Sequence, residues 1–586
     1  MTQQRDDAIT SQAPADQQDR YPAEQNFGWF GGSHPAEPQE QQQEQQQEPE
    51  AAPEPKAPEP GYTLPDVPDV GWDPLPSSRR TWVSRLVLLG ILLAQALLTL
   101  RLSNSAFEDE ALYLYAGHLQ LHHLNGGAPL PDSFAAYFSG SPLLYPPLAA
   151  AFDTWFGLAG ARGLSLGFML GTTALLYMMT RRLFNERVAL VAAGCFAVTQ
   201  STLFMGALAT YDAAALFLIA VGAWLAVRTA RNGWWLSALT IPPVLVLAVA
   251  VKYAALMYAP IVVALACLAA VPYHAWRSLL RAFLIPAVAV GGAYTALRLT
   301  GSDILKGLQS TTTGRATGHG VRLDMLRDCA EWGGLLFALA LLGTVLYALK
   351  GRMSEAPTMH AVRVPRRLWR ILMGLLLTST AVLAPAYQIW IHESVSLHKH
   401  IGYGLFFAAP MAALGITRVV GSHFRHPQLG ILAWVVLLVL GMVQSNSLYH
   451  AWPNSTQLIA TLDRQLVPNG HYLVEANSVP RYYLQDKVEF GQWTSTYTIS
   501  YQTKDKKVVT GEAGFKAALT DGYFDVVVFD KTVTGALDEK LVKQLRAEGK
   551  YRLLVSIPYH NTYGSGFYQV WIPVKKNPAA QQQPQP

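Results

Sequence analysis

With 586 residues, 51% of them hydrophobic and 15% charged, the chain is too apolar for an ordinary soluble protein and reads as a polytopic membrane protein. A net charge of +5 is too small to suggest a nucleic-acid partner. The three cysteines, Cys195, Cys267 and Cys329, lie in or beside apolar runs without metal-ligand spacing, so no disulfide framework is implied; Cys195 and Cys267 read as small packing residues.

Residues 1–78 form a separate region, in which the stretch "QEQQQEQQQEPEAAPEPKAPEP" is rich in Gln, Glu and Pro with almost no apolar content. Such a segment cannot offset its ordering entropy and is expected to be a disordered cytoplasmic tail, either simply solvated or docking a cytoplasmic partner. It is too long and too polar for a signal peptide.

A bilayer core takes about 20 apolar residues per helix. The first such run starts at Thr81, and ten more follow near 161–183, 187–204, 210–228, 234–251, 254–271, 277–299, 331–349, 369–391, 401–419 and 429–446. About eleven transmembrane helices are therefore expected. "PPLAAAFDTWFG" (146–157) is short and interrupted, and is expected to be interfacial or re-entrant. Basic residues mark every second connection: Arg79, Arg80 and Arg85 at the first span, then "RRLFNER", "RTARNG", "HAWRSLLR", "KGRMSEAPTMHAVRVPRRLWR" and "RVVGSHFRHP". The positive-inside rule makes these cytoplasmic. The helical region, 79–450, then begins inside and ends outside. From 451 to 576, helical patterns such as "GEAGFKAALTDGY" and "DEKLVKQLRAEG" alternate with strand patterns such as "HYLVEA", "FDVVVFD", "YRLLVSI" and "FYQVWIPV", giving a small extracytoplasmic α/β domain. Residues 577–586 form a second disordered tail.

The polar residues of interest fall on the outer side. In "SNSAFEDEALYLYAGH", Ser105 and Glu108 fit a capping box, and acids in a first turn complement the helix dipole. Capping does not require Asp109 or Glu110. Asp212 opens an apolar helix, where an acid usually faces a cavity or a partner, or else only the helix dipole. Lys252 interrupts about 35 apolar residues at an outer turn; it either snorkels to the surface or binds an anion. "HESVSLHKHIGYG" crowds His392, Glu393, His398, Lys399 and His400 into one short loop, which suits a phosphate better than a metal because no third ligand is spaced with the histidines. Arg315, His319 and Arg322, in "GRATGHGVR", are further cations on a Gly-rich loop expected to be mobile, or ordinary solvated charges.

The order "DE" in a large first outer loop, then "PPL", then an acid opening a later span, resembles the GT-C glycosyltransferases over roughly 80–450. The likeness is to the family 39-like group of protein mannosyltransferases and aminoarabinose lipid A transferases. That resemblance implies a polyprenyl-phosphate sugar donor and extracytoplasmic chemistry at the plasma membrane. It implies Asp109 as catalytic base, with Glu110 beside it, and Asp212 as the group's second acid, orienting substrate or holding a divalent cation (Mg2+ or Mn2+). Tyr145 to Leu148, "YPPL", resembles the group's "KPPL" or "HPPL", with tyrosine in place of the basic residue. Lys252, His398, Lys399, His400 and Tyr145 are then the candidate donor-phosphate residues. The acceptor would be a lipid, glycan or protein hydroxyl, with membrane lipid as surroundings. Two other classes also fit acids and cations at a membrane face: a flippase for a lipid-linked sugar, and a non-catalytic glycan-assembly subunit. The second would use the aromatics of "FGQWTSTY" (490–497), which as half-buried strand residues have a simpler explanation. A flippase would more often place its charges at the midplane and carry an internal repeat.

Overall fold

The computed structural model describes residues 78–574 except 233–234, 301, 313, 315–316, 319, 351–366 and 422–424. Both expected tails, and the cationic candidates Arg315 and His319, lie outside the described residues.

The body is helical. Its helices are α1 (Ser78–Thr99), α2 (Glu108–Leu124), α3 (Tyr145–Leu183), α4 (Glu186–Ala197), α5 (Gln200–Ala207), α6 (Tyr211–Arg228), α7 (Ile241–Val251), α8 (Ala259–His274), α9 (Leu280–Thr300), α10 (Ser302–Thr311), α11 (Arg322–Cys329), α12 (Leu335–Lys350), α13 (Arg367–Trp390), α14 (Leu397–Val420) and α15 (Pro427–Tyr449). Every one of the eleven apolar stretches is helical. Among the described residues, eight helical stretches are long and apolar enough to cross a membrane, or nine if α4 and α5, bent by 62°, form one span. The shortfall from eleven has local causes. The apolar helix at 236–251 is short, and residues 253–299 run on as one stretch although Ala275, at φ 51°, separates α8 from α9. "PPLAAAFDTWFG" is the first part of α3, started by Pro146 and Pro147 in its first turn and bent from the rest at Gly157, whose φ of 64° suits glycine.

Position in the bundle follows side-chain size. Helix α14 is the most enclosed, and α1 and α15 turn Leu and Val outward. α14 carries Gly402, Gly404, Ala408, Ala409, Ala412, Ala413 and Gly415, so neighbouring backbones come close. A Cβ on Gly404 would sit 2.4 Å from the Thr380 carbonyl oxygen of α13, and one on Gly343 of α12 only 1.8 Å from that of Met411. This close packing holds the start of α14 beside the starts of α2 and α6 and the end of α7.

After α15 come α16 (Thr456–Asp463), β1 (Tyr472–Val474), α17 (Ser478–Tyr483), β2 (Trp493–Thr494), β3 (Ser500–Gln502), β4 (Val508–Thr510), α18 (Gly511–Asp521), β5 (Val526–Phe529), α19 (Gly535–Glu548), β6 (Tyr551–Asn561) and β7 (Gly564–Pro573). One sheet has the order β2-β1-β5-β7-β6, with β1 parallel to β2 and β5, and β7 antiparallel to β5 and β6. β3 and β4 form a separate hairpin. In "FGQWTSTY" Trp493 is buried in β2, whereas Tyr497 is exposed. Gly522 and Gly549, both left-handed, end α18 and α19.

This region is tied to the body by specific bonds. Tyr482 donates to Asp153 Oδ1 at 2.7 Å, and His118 Nε2 lies 2.7 Å from Asp153 Oδ2. The Ala106 N–H donates to the Tyr483 hydroxyl at 2.9 Å. Ser105 belongs to the same set: its Oγ accepts from the Ser455 N–H at 3.0 Å. The expected Ser105–Glu108 capping box is therefore not formed. The helix starts two residues later than that motif requires, with Phe107 at the N-cap, and Glu110 closes the box by accepting from the Phe107 N–H at 2.9 Å.

Candidate active site

Four charged residues meet where α2, α6 and α14 begin and α7 ends. Lys399 Nζ lies 3.1 Å from Asp109 Oδ2 and 3.7 Å from Asp212 Oδ2. Lys252 Nζ lies 2.7 Å from Asp212 Oδ1. The result is a chain, Asp109–Lys399–Asp212–Lys252, with two charges of each sign. Asp212 and both lysines are at most 5% exposed, while the Asp109 side chain is 37% exposed. Only Asp109 offers the chain to a substrate.

Helix ends explain the pairing. Asp109 and Asp212 sit in first turns, where the dipole favours anions, and Lys252 caps the end of α7, where it favours cations. Lys399 is the exception, a cation in the first turn of α14, and the two carboxylates offset that placement. Lys252 also lies 5.6 Å from the centre of the Tyr211 ring, a cation–π distance. Its backbone is held by the first outer loop: the Tyr253 N–H donates to Ser139 O and the Ser141 N–H to Ala250 O. Gly140 makes that approach possible, since a Cβ there would lie 1.9 Å from the Val251 oxygen.

Glu110 points elsewhere. It is fully buried and receives Arg162 Nε at 3.0 Å, Arg162 Nη2 at 2.8 Å, the Ala209 N–H at 2.7 Å and the Phe107 N–H at 2.9 Å. These four bonds use the acceptor sites of a carboxylate. Arg162 reaches further, to the carbonyls of Asn104 and Ser105. Sequence reasoning passed over Arg162, although a basic residue at the outer end of a span is the signal that singled out Lys252.

The remaining candidates are spread around the chain. Tyr145 is buried, its hydroxyl 2.9 Å from Ser165 Oγ and its ring against Tyr211. The His398 ring lies edge-on to Phe204 and Trp332. His400 Nδ1 is 3.0 Å from Gln388 Nε2, and the His400 carbonyl accepts from Tyr258. Arg322 Nε approaches His392 Nε2 at 3.2 Å, and the N–H groups of Gly318 and Gly320 donate to Ile391 O and His392 O, so this loop is docked on the turn before α14. Among the described residues no group of three or more His, Cys, Asp or Glu could hold a metal ion. Asp212, the acid expected to hold a divalent cation, does not fit one, because its two oxygens face the ammonium groups of Lys252 and Lys399.

Residues 133–297, less than a third of the chain, match the family model described as dolichyl-phosphate-mannose-protein mannosyltransferase. Over that segment the chain is similar to this mannosyltransferase family. The matched segment contains Tyr145, Asp212 and Lys252. Among solved structures the chain is similar to oligosaccharyltransferase AglB from Archaeoglobus fulgidus in complex with an inhibitory peptide and a dolichol-phosphate (13% identity, 83% of this chain and 74% of that one, TM-score 0.47). It is also similar to ArnT from Cupriavidus metallidurans bound to undecaprenyl phosphate (12%, 85% and 98%, TM-score 0.46). A third similar structure is the arabinofuranosyltransferase AftD from Mycobacteria, of which the match covers 40% (12% identity, 84% of this chain, TM-score 0.42). No curated protein matches the sequence.

Proposed function

We propose that this enzyme moves a sugar from a polyprenyl-phosphate donor to a hydroxyl of an envelope lipid, glycan or protein, at the outer face of the plasma membrane. The observation that carries the reading is the charged chain, in which two buried lysines stand behind one partly exposed carboxylate, Asp109. The family description supports a lipid-phosphate donor. The alternation of basic loops supports the outer location, and supports the same side for the α/β region, 451–576.

In the forward step Asp109 accepts the acceptor's hydroxyl proton while that oxygen attacks the anomeric carbon. The bond from this carbon to the phosphate oxygen breaks, and its electron pair leaves on polyprenyl phosphate. Attack from the side opposite the leaving group inverts the anomeric centre. Lys252 and Lys399 stabilise the charge that develops on the phosphate. Lys399 has a second task, because it occupies an Asp109 oxygen in the resting enzyme. Arrival of the donor phosphate draws this ammonium away and leaves Asp109 free to take a proton. Asp212 keeps the two like-charged lysines together throughout. Glu110, with its acceptor sites filled, holds the start of α2 in place rather than exchanging protons.

The test is Asp109→Asn. The variant should bind polyprenyl-phosphate sugar with unchanged affinity and transfer it about 10²–10⁴-fold more slowly, the range for loss of a positioned base. Transfer at the wild-type rate would remove Asp109 from the mechanism.

A further inference from the structure

A second site lies one residue away from the charged chain, on the opposite side of the start of α2. A cavity of about 550 Å³ opens between the body and the α/β region. This is within the range of roughly 300–1,000 Å³ of small-ligand pockets. It lies at the edge where the parallel strands β1, β5 and β6 all end, the edge at which open α/β sheets bind ligands.

Both walls are pinned. On the body side Trp452 Nε1 donates to the Ser105 carbonyl at 3.0 Å, and its ring lies 5.1 Å from that of Phe107. On the sheet side the turn between β6 and β7 is anchored by the Thr562 N–H, which donates to His450 O at 2.9 Å. Glu475, at the end of β1, receives the N–H groups of Asp530, Lys531, Val533 and Thr534 at 2.6–2.9 Å and so fixes the loop that forms the rim.

The lining narrows the ligand class. It includes the rings of Phe107, Trp452, Tyr559 and Tyr563, with Asp530 and Glu108, and it has no lysine, arginine or histidine. An anionic ligand would meet only repulsion. The aromatic faces suit the C–H surfaces of a sugar, and the carboxyls suit its hydroxyls. Glu108 is the most informative member. It is half-buried and makes no hydrogen bond or ion pair among the described residues, unlike Glu110 and Glu475. A carboxyl held off bulk water without a protein partner is placed for a ligand hydroxyl.

We propose that this cavity holds the non-reducing end of a neutral glycan acceptor and passes its terminal hydroxyl over the first turn of α2 to Asp109. The proposal rests on the transferase reading above and names the acceptor class for it. The full chain in detergent micelles should be photolabelled with a diazirine-bearing neutral hexose trisaccharide, with a hexuronic trisaccharide and a lysine-rich peptide as matched probes. The neutral probe is expected to label peptides containing Trp452 and residues 559–568. Glu108→Gln and Tyr563→Ala should each lower that labelling about 5-fold or more, the equivalent of one lost polar contact. Tyr563 is 81% exposed, so its variant keeps the test valid if Glu108→Gln perturbs folding. Equal or stronger labelling by the acidic probe or the peptide would overturn the proposal, and so would no labelling of these segments by an enzyme that still transfers sugar. Failure of the wild type to transfer sugar to any hydroxyl would sink the transferase reading instead, and labelling would still decide what the cavity binds.

Discussion

The protein buries acids in two places and neutralises them in different ways. At the head of the helical body, Asp109 and Asp212 are matched by Lys399 and Lys252. In the α/β region, Glu475, Asp530 and Asp538 crowd together with backbone N–H groups and, among the described residues, no lysine ammonium within ion-pairing distance of them. There, burial pushes the Asp530 and Asp538 carboxyls up, and the Glu475 charge pushes them further. Burial also works against Glu475, but hydrogen bonds from the two aspartic carboxyls and from the Thr534 and Asp530 backbone outweigh it and hold Glu475 down. Glu108, between the two places, is pushed up to about 7 by burial, then by Asp109 and Glu475. One cluster thus carries cations that an incoming phosphate can use. The other keeps protons and offers carboxyls to uncharged groups.

The contrast is broken most severely at Lys399. Lys399→Gln removes the ammonium shared by Asp109 and Asp212, and with it one of the two groups proposed to meet the leaving phosphate. Transfer should fall by about 10²–10³-fold, as for loss of one donor to a developing anion. Lys252→Gln should lower transfer too, and should raise the donor KM, because Lys252 touches Asp212 and not the base. Steady-state rates against donor concentration distinguish the two. Equal effects on kcat and KM in both variants would show that the lysines act alike and that Lys399 has no part in releasing Asp109.

The next effect is on stability. Arg162→Met leaves the fully buried Glu110 without its cation, which should cost about 3–5 kcal/mol, the range for breaking a buried pair from one side. Glu110→Gln in the same background should recover part of the loss, measured by thermal unfolding in detergent. An Arg162→Met protein as stable as wild type would return Glu110 to the list of candidate proton carriers.

Two members of the body cluster, Lys252 and Asp212, were legible because each breaks a local rule, whereas Asp109 was reached through the family resemblance. Lys252 stands in a long apolar run on the side where positive charge is disfavoured, and Asp212 opens an apolar helix. The eleven apolar runs were legible for the same reason, though not how many are independent spans, which depends on breaks such as Ala275. What Glu110 does was not legible, since its partner Arg162 is 52 residues away and only the bend at Gly157 brings α3 back to it. Ser105 misled because its sequence signature is local while its real partner is the backbone of Ser455, 350 residues on. The acid cluster around Glu475 left no mark either, being assembled from the ends of β1 and β5, which are adjacent in the sheet and distant in the chain.

The smallest predicted effect separates the two clusters by pH. Asp530 is raised from its ordinary 3.8 to about 8, so between these values the folded protein holds a proton that the unfolded chain has released. Its contribution to stability is fully present below the lower value and is lost as pH rises through the upper one. Asp530→Asn imitates the protonated form at every pH. The variant should unfold at the wild-type temperature below about pH 4 and roughly 3–8 °C above it near about pH 9. No gain at high pH from Asp530→Asn would mean that a proton does not neutralise this cluster and that the contrast with the lysine-paired acids fails.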